Sequence, residues 1–269
     1  MGIIELQGKR FNLLTTVINS MNIPFTIKVA ISYKAKKSNN NLFKLTYRKI
    51  FDDLDNIDKV FSPFKMQSLV SKFNHGDVTP LISSKDFQTV YALSSIARDK
   101  TENYFNPFFN NQYNPTGLVK GWAIEKIFIQ RLYPLLNYKE VVGVSLNGGG
   151  DIQTAVKSES LFQWQVGIED PNKEGWIIGQ YSLTNNGIAT SGVNKRGEHI
   201  KRANSKLQQV TIVDNSLTIA DIWATAGMAA GTHTFLHFIK RYQLSGVLID
   251  TALGPINFEK GKLINVKIS

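Results

Sequence analysis

The sequence predicts an α+β fold: one domain over residues 1–269, with a mostly antiparallel sheet and flanking helices. Three observations predict it. Short runs with β-type alternation recur along the chain, amphipathic stretches with helical spacing separate them, and neither an internal repeat nor a dividing linker is present. At 269 residues, 42% hydrophobic and 11% aromatic, the chain can bury a sizeable core without staples.

Residues 10–50 alternate in a β-like way, most clearly at 25–31 and, past a Lys/Asn-rich turn, at 42–47. This reads as a strand pair joined by a polar loop. From 47 to 61, Ile50, Leu54, Ile57 and Phe61 recur at helical spacing, with Asp52, Asp53, Asp55 and Asp58 on the wet face and Ser62-Pro63 as the stop. A short helix is expected within 64–74, and a longer one over 83–102 with Phe87, Val90, Tyr91, Ser94 and Ile96-Ala97 on one side. The loop Tyr104-Phe105-Asn106-Pro107-Phe108-Phe109 suits either a core plug or packing on a planar ring.

Residues 116–136 read as a helix stopped near Pro134. Its opening Lys120, set between Gly117 and Gly121, offers side chain and backbone to a phosphate, although the Walker A spacing is absent. Strands are expected at 141–146, 162–168, 175–183, 187–192 and 210–213, with Asp170-Pro171-Asn172 as a turn. A small-residue helix follows at 216–231, begun by the cap-type Ser216 and Thr218. A short helix at 235–242 and strands at 246–250 and 263–268 close the sheet.

Composition narrows the function. Lys and Arg number 31 against 21 Asp and Glu, a formal charge of +10, which favours an acidic partner. The basic residues are scattered except at Lys34-Lys36-Lys37 and between Lys195-Arg196 and Lys201-Arg202. No nucleic-acid-binding aromatic signature accompanies them. The absence of cysteine excludes disulfides, thiolate metal sites and a cysteine nucleophile. The N-terminus lacks signal-peptide character and no run is long enough to span a membrane. Cytosolic residence is therefore expected; an extracytoplasmic, anchored form would require a leader ahead of residue 1.

The chemistry gathers around Asn147-Gly148-Gly149-Gly150-Asp151, where a strand breaks into three glycines and a carboxylate. Glycines let backbone N–H groups approach a phosphate, and they equally suit a hairpin with no ligand. Thr190, Ser191 and Gly192 end a short strand with two hydroxyls and a glycine, a composition that fits phosphate or a bare turn. Asp221 and Thr225, four apart on a helix, share one face. They offer the oxygen ligands a hard cation takes, or serve the helix dipole and helix packing.

Taken in order, Lys120-Gly121-Trp122-Ala123-Ile124-Glu125, Asn147 to Asp151, Ala189-Thr190-Ser191-Gly192 with His199-Ile200, and Ala220-Asp221 through Ala224-Thr225-Ala226 resemble the ApbE-like family of FAD:protein FMN transferases. The likeness covers about residues 20–235 and takes in Phe61-Ser62, Ser68, Asn74 and Phe105-Asn106-Pro107. It implies an α+β enzyme that binds FAD, uses Mg2+ to split the pyrophosphate, releases AMP, and joins FMN by a phosphoester to a Ser or Thr hydroxyl of an acceptor protein. Asp221 and Thr225 then resemble metal ligands, with Ala189 contributing its carbonyl. Met21, Phe105, Lys120, Asn147, Gly148, Gly149, Gly150, Asp151, Thr190, Ser191 and Gly192 match the FAD site. His199 matches the residue that takes the proton of the acceptor hydroxyl. The chain departs from the family at Glu125 and Asn106, each where Asp is usual, and at Lys201-Arg202-Ala203-Asn204, where an Asp-Pro segment is usual. These departures predict reduced activity or an altered acceptor.

Overall fold

A broad antiparallel sheet organises the molecule. The computed structural model describes residues 4–7, 11–32, 40–193 and 206–264. Strands β1 (Ile4–Gln7), β2 (Phe11–Ser20) and β3 (Ile23–Ser32) come first. The β2–β3 hairpin closes on Met21 and Asn22, both at positive φ, the turn geometry that matches strand twist.

Residues 42–47, expected as a strand, lie instead in helix α1 (Asn40–Phe61). Phe43, Tyr47, Ile50, Leu54, Ile57 and Phe61 are all buried, whereas Leu45 is exposed. That spacing continues over a 22-residue helix and outweighs an alternation confined to one short run. The partners of β3 are thus the preceding strand and, on its other side, the strand at residues 141–148.

Helices α2 (Leu69–Asn74), α3 (Pro80–Ser83) and α4 (Lys85–Lys100) follow. Ser68 and Ser84 cap α2 and α4 by accepting the N–H groups of Ser71 and Phe87. Phe87, Val90, Ser94 and Ala97 face inward, while Ile96, expected beside them, is exposed. A small hairpin, β4 (Phe108–Phe109) with β5 (Gln112–Tyr113), sets Tyr113 edge-on to Phe73, Phe87 and Tyr91.

Helix α5 (Thr116–Ile127) passes into a π turn at Phe128–Leu132 and a tighter turn at Tyr133–Asn137 that contains Pro134. Then come β6 (Val141–Gly148), β7 (Asp151–Val156), β8 (Trp164–Asp170), β9 (Lys173–Leu183), β10 (Gly187–Gly192) and β11 (Leu207–Asp214). Helix α6 (Leu217–Tyr242) precedes β12 (Ser245–Asp250), β13 (Gly254–Glu259) and β14 (Lys262–Ile264). Strands β7 and β13 are not among those expected from the sequence. Both are short, and β7 carries Gln153 and Thr154, which mask its apolar signal.

Among the described residues, ten strands form one sheet in the order β1-β2-β3-β6-β7-β10-β11-β12-β13-β14, every neighbour antiparallel. Strands β8 and β9, expected within it, pair only with each other. Trp164, Ile168 and Leu183 of this ribbon pack with Ala30, Val156, Ile188 and Val247 in a small second core. The main core joins α1, α5 and α6 to inward side chains such as Phe25, Ile27, Leu146 and Val210. No described helix is long and apolar enough to cross a membrane.

Candidate active site between the glycine turn and two helices

Three glycines make a hairpin turn rather than an open cradle. Gly148 pairs with Asp151 across β6–β7, and Gly149 and Gly150 take φ of 61° and 97°, the signature of a two-residue type I′ turn that glycine accepts without strain. The Gly150 N–H donates to Asn147 Oδ1 at 2.9 Å and the Gly149 N–H to the Pro24 carbonyl at 3.4 Å. With both amides engaged locally, the turn's contribution to the site is Asp151.

Asp151 is completely buried. The β7–β10 ladder holds only Gly187↔Gln153 and Ile188↔Ile152, so β10 runs on past the start of β7 with, among the described residues, β11 alone paired to it. In that gap Asp151 Oδ1 accepts the Thr190 N–H at 3.2 Å, a carboxylate standing in for a strand partner. Its Oδ2 meets the ammonium of Lys120.

Helices α5 and α6 supply the rest. The Gly121 N–H donates to Asp221 Oδ2 at 3.1 Å. A Cβ on Gly121 would lie 2.9 Å from Asp221 Cβ and 3.2 Å from the Leu217 carbonyl oxygen, so this close helix approach requires glycine. Lys120, the neighbour of Gly121, extends to Asp151 and lies 3.9 Å from Asp221 Oδ1. It stands in the second turn of α5, which begins at Thr116; its role here is to bridge two carboxylates from different elements.

Hydroxyl groups edge the cluster. Ser191 Oγ is 3.3 Å from Thr225 Oγ1, and Thr190 Oγ1 is 2.9 Å from Thr211 Oγ1. The start of α6 is held from α5: Glu125 Oε2 accepts from Ser216 Oγ and the Thr218 N–H, each at 2.8 Å, and from the Thr218 hydroxyl. Ser216 Oγ also accepts the Ile219 N–H at 3.3 Å. A carboxylate at the positive end of a helix is favourable, so Glu125 fixes the turn of α6 that presents Asp221.

Two buried carboxylates against one ammonium leave a formal charge of −1. With hydroxyl and main-chain oxygens alongside, this donor set fits a hard divalent cation that keeps positions for water and phosphate. Among the described residues no group of three or more His, Cys, Asp or Glu side chains could hold a metal ion. A cation here would therefore take hydroxyl, carbonyl and ligand oxygens to complete its shell.

The structure thus brings together Lys120, Asp151, Thr190, Ser191, Asp221 and Thr225. Ala189 is buried on β10 beside Thr190, and Gly192 ends that strand opposite Gln209. Met21 sits in the β2–β3 turn, and the neighbouring Ile23 lies within van der Waals reach of Gly149. Phe105, expected as a cofactor contact, is 4% exposed with its ring against Gly117. It is a core plug because the main chain folds it inward, its N–H donating to Thr101 Oγ1. His199, Lys195, Arg196, Lys201 and Arg202 lie outside the described residues. Sequence reasoning missed Thr211, whose only signal is a hydroxyl within an apolar strand, and the contact of Gly121 with Asp221.

Comparison with known proteins gives this geometry a setting. The model of the ApbE family matches residues 111–248. A search of curated proteins gave no match. Among solved structures, the flavinyl transferase ApbE of Pseudomonas stutzeri, in its apo form, superposes at a TM-score of 0.71 with 16% identity, over 94% of this chain and 97% of that one. The flavin transferase ApbE of Vibrio cholerae gives 0.71 and 15% over 93% and 97%. The ApbE protein of Thermotoga maritima gives 0.72 and 15% over 92% and 97%. At such identities these likenesses establish the fold. The family match spans just over half of the chain and every residue of the carboxylate–ammonium cluster; this chain belongs to the ApbE family.

Proposed function

We propose that this protein is an FAD:protein FMN transferase, moving FMN from FAD to a Ser or Thr hydroxyl of an acceptor protein with release of AMP. The observation that carries the reading is the meeting of Asp221, Lys120 and Asp151 beside the free stretch of β10. Two structural neighbours named as flavin transferases share the fold.

Asp221 and Thr225, one helical turn apart, with the main chain at Ala189, would hold Mg2+. The ion supplies charge neutralisation on the pyrophosphate oxygens and the departing AMP. Lys120 keeps the two buried carboxylates from repelling each other and adds positive charge facing the phosphates. Gly121, through its N–H, fixes the rotamer of Asp221. Thr190, Ser191 and Gly192, with Asp151 at the end of the glycine turn beside them, would wall the space for FAD. His199 would take the proton from the acceptor hydroxyl as its oxygen bonds to the FMN phosphorus and the bond to AMP breaks.

The test is incubation with FAD, Mg2+ and a protein carrying the family's Ser/Thr flavinylation sequence, followed by mass spectrometry for an FMN adduct and chromatography for AMP. An adduct that falls on the order of 100-fold or more in Asp221→Ala is expected. AMP without an adduct would replace the reading with FAD hydrolysis. No binding of FAD at all would end both.

A further inference from the structure

Helix α6 presents a second set of metal-ligating side chains, unrelated in chemistry to Asp221. Beyond a break at Gly231, where φ is 75° and ψ 167°, Phe235, Phe238 and Ile239 turn into the core. The opposite, exposed side carries His233 and His237. Four residues apart, they stand one above the other on one helical face. Their ring centres are 5.2 Å apart with the planes inclined at 68°.

That separation matches two imidazoles that share a metal ion. With Zn–N bonds of about 2.0–2.1 Å and roughly 1.1 Å more to the ring centre, each imidazole centre lies about 3.2 Å from the ion; a tetrahedral angle then sets the two centres about 5.2 Å apart. The rings therefore already stand at chelating distance, and binding would cost little rearrangement of the helix.

We propose that His233 and His237 form a two-point site for a borderline divalent ion, Zn2+ foremost. Imidazole nitrogen suits Zn2+, Ni2+ and Cu2+, whereas the oxygen set at Asp221 suits Mg2+, so the two places on α6 select different metals. The chain contains no cysteine to compete. Among the described residues no third His, Cys, Asp or Glu joins the pair, so water fills the remaining positions. A bound ion would tie together the first turns of the helix that follows the break.

Calorimetric titration of the metal-free full chain with Zn2+, in excess Mg2+ to occupy oxygen sites, tests this. One saturable equivalent is expected. His233→Gln and His237→Gln should each weaken it by about 100-fold, the factor lost when one of two linked ligands is removed. His75→Gln, on an exposed site elsewhere, should leave it unchanged, and Zn2+ should raise the Tm of the wild type and of His75→Gln more than that of His233→Gln or His237→Gln. Failure of the wild type to bind, binding undiminished in His233→Gln, or binding lost instead in Asp221→Ala would overturn the proposal. Both histidines are exposed, so loss of fold is not expected; matching Tm values without metal would verify it.

Discussion

Lys120 holds the site's electrostatics in one side chain. Its ammonium is 9% exposed and touches or approaches two carboxylates that are at most 5% exposed. Lys120→Met would keep most of the volume and leave the fully buried Asp151 carboxylate without its ammonium. Breaking such a pair from one side costs about 3–5 kcal/mol, so urea denaturation at neutral pH should show a loss of that size. Adding Asp151→Asn to Lys120→Met should restore part of it, because the charge that lost its ammonium is then gone. Each of these residues is legible in the sequence as a candidate, through the order of four short motifs. That they share one site follows from the resemblance, but that Lys120 bridges Asp151 and Asp221 is not legible, because the contacts join residues far apart in the chain. Phe105 illustrates the converse: an aromatic residue beside proline reads equally as a ligand contact or a core plug, and only the path of the backbone decides.

At the scale of elements, α6 behaves as two helices sharing an axis interruption. The stretches 216–231 and 235–242 are legible separately in the sequence, and Gly231 is where they meet. The second half is fastened to β12 through Asp250 Oδ2, which accepts from Thr232 Oγ1 at 2.5 Å. Burial pushes the Asp250 carboxyl up, but the Thr232 hydroxyl, the Ala252 and Leu253 N–H groups and the nearby Lys206 outweigh it and hold the carboxyl below its ordinary value. A lowered pKa means the stabilisation is complete above the unfolded value and is lost as pH falls through the folded one. Thr232→Ala should therefore cost about 1.5–3 kcal/mol at pH 7, and the gap from wild type should narrow as pH drops below about 4. Melting curves at both pH values would show it. Helix α1 marks where local pattern misleads: six alternating residues look like a strand until the longer helical period around them is counted.

For the whole molecule, the α+β class with a mostly antiparallel sheet is legible from the mix of patterns, and the family from its motifs. The separation of β8–β9 onto the far face is not, since a ribbon with one buried side alternates just as a sheet strand does. The contact between Gly121 and Asp221 spans 100 positions, and Asp151 reaches Thr190 across 39. Such closures come late, because the chain entropy of a large loop is lost before its contacts form. During refolding from urea, the FAD binding proposed above should return only with the slowest phase of tryptophan fluorescence; recovery in an earlier phase would show that the site assembles ahead of the sheet. On the ribosome the same spacing has a directional meaning. Until α6 has left the exit tunnel, Lys120 and Asp151 can meet without Asp221, so the carboxylate–ammonium cluster on the nascent chain stays incomplete until β11 and every strand before it have been made.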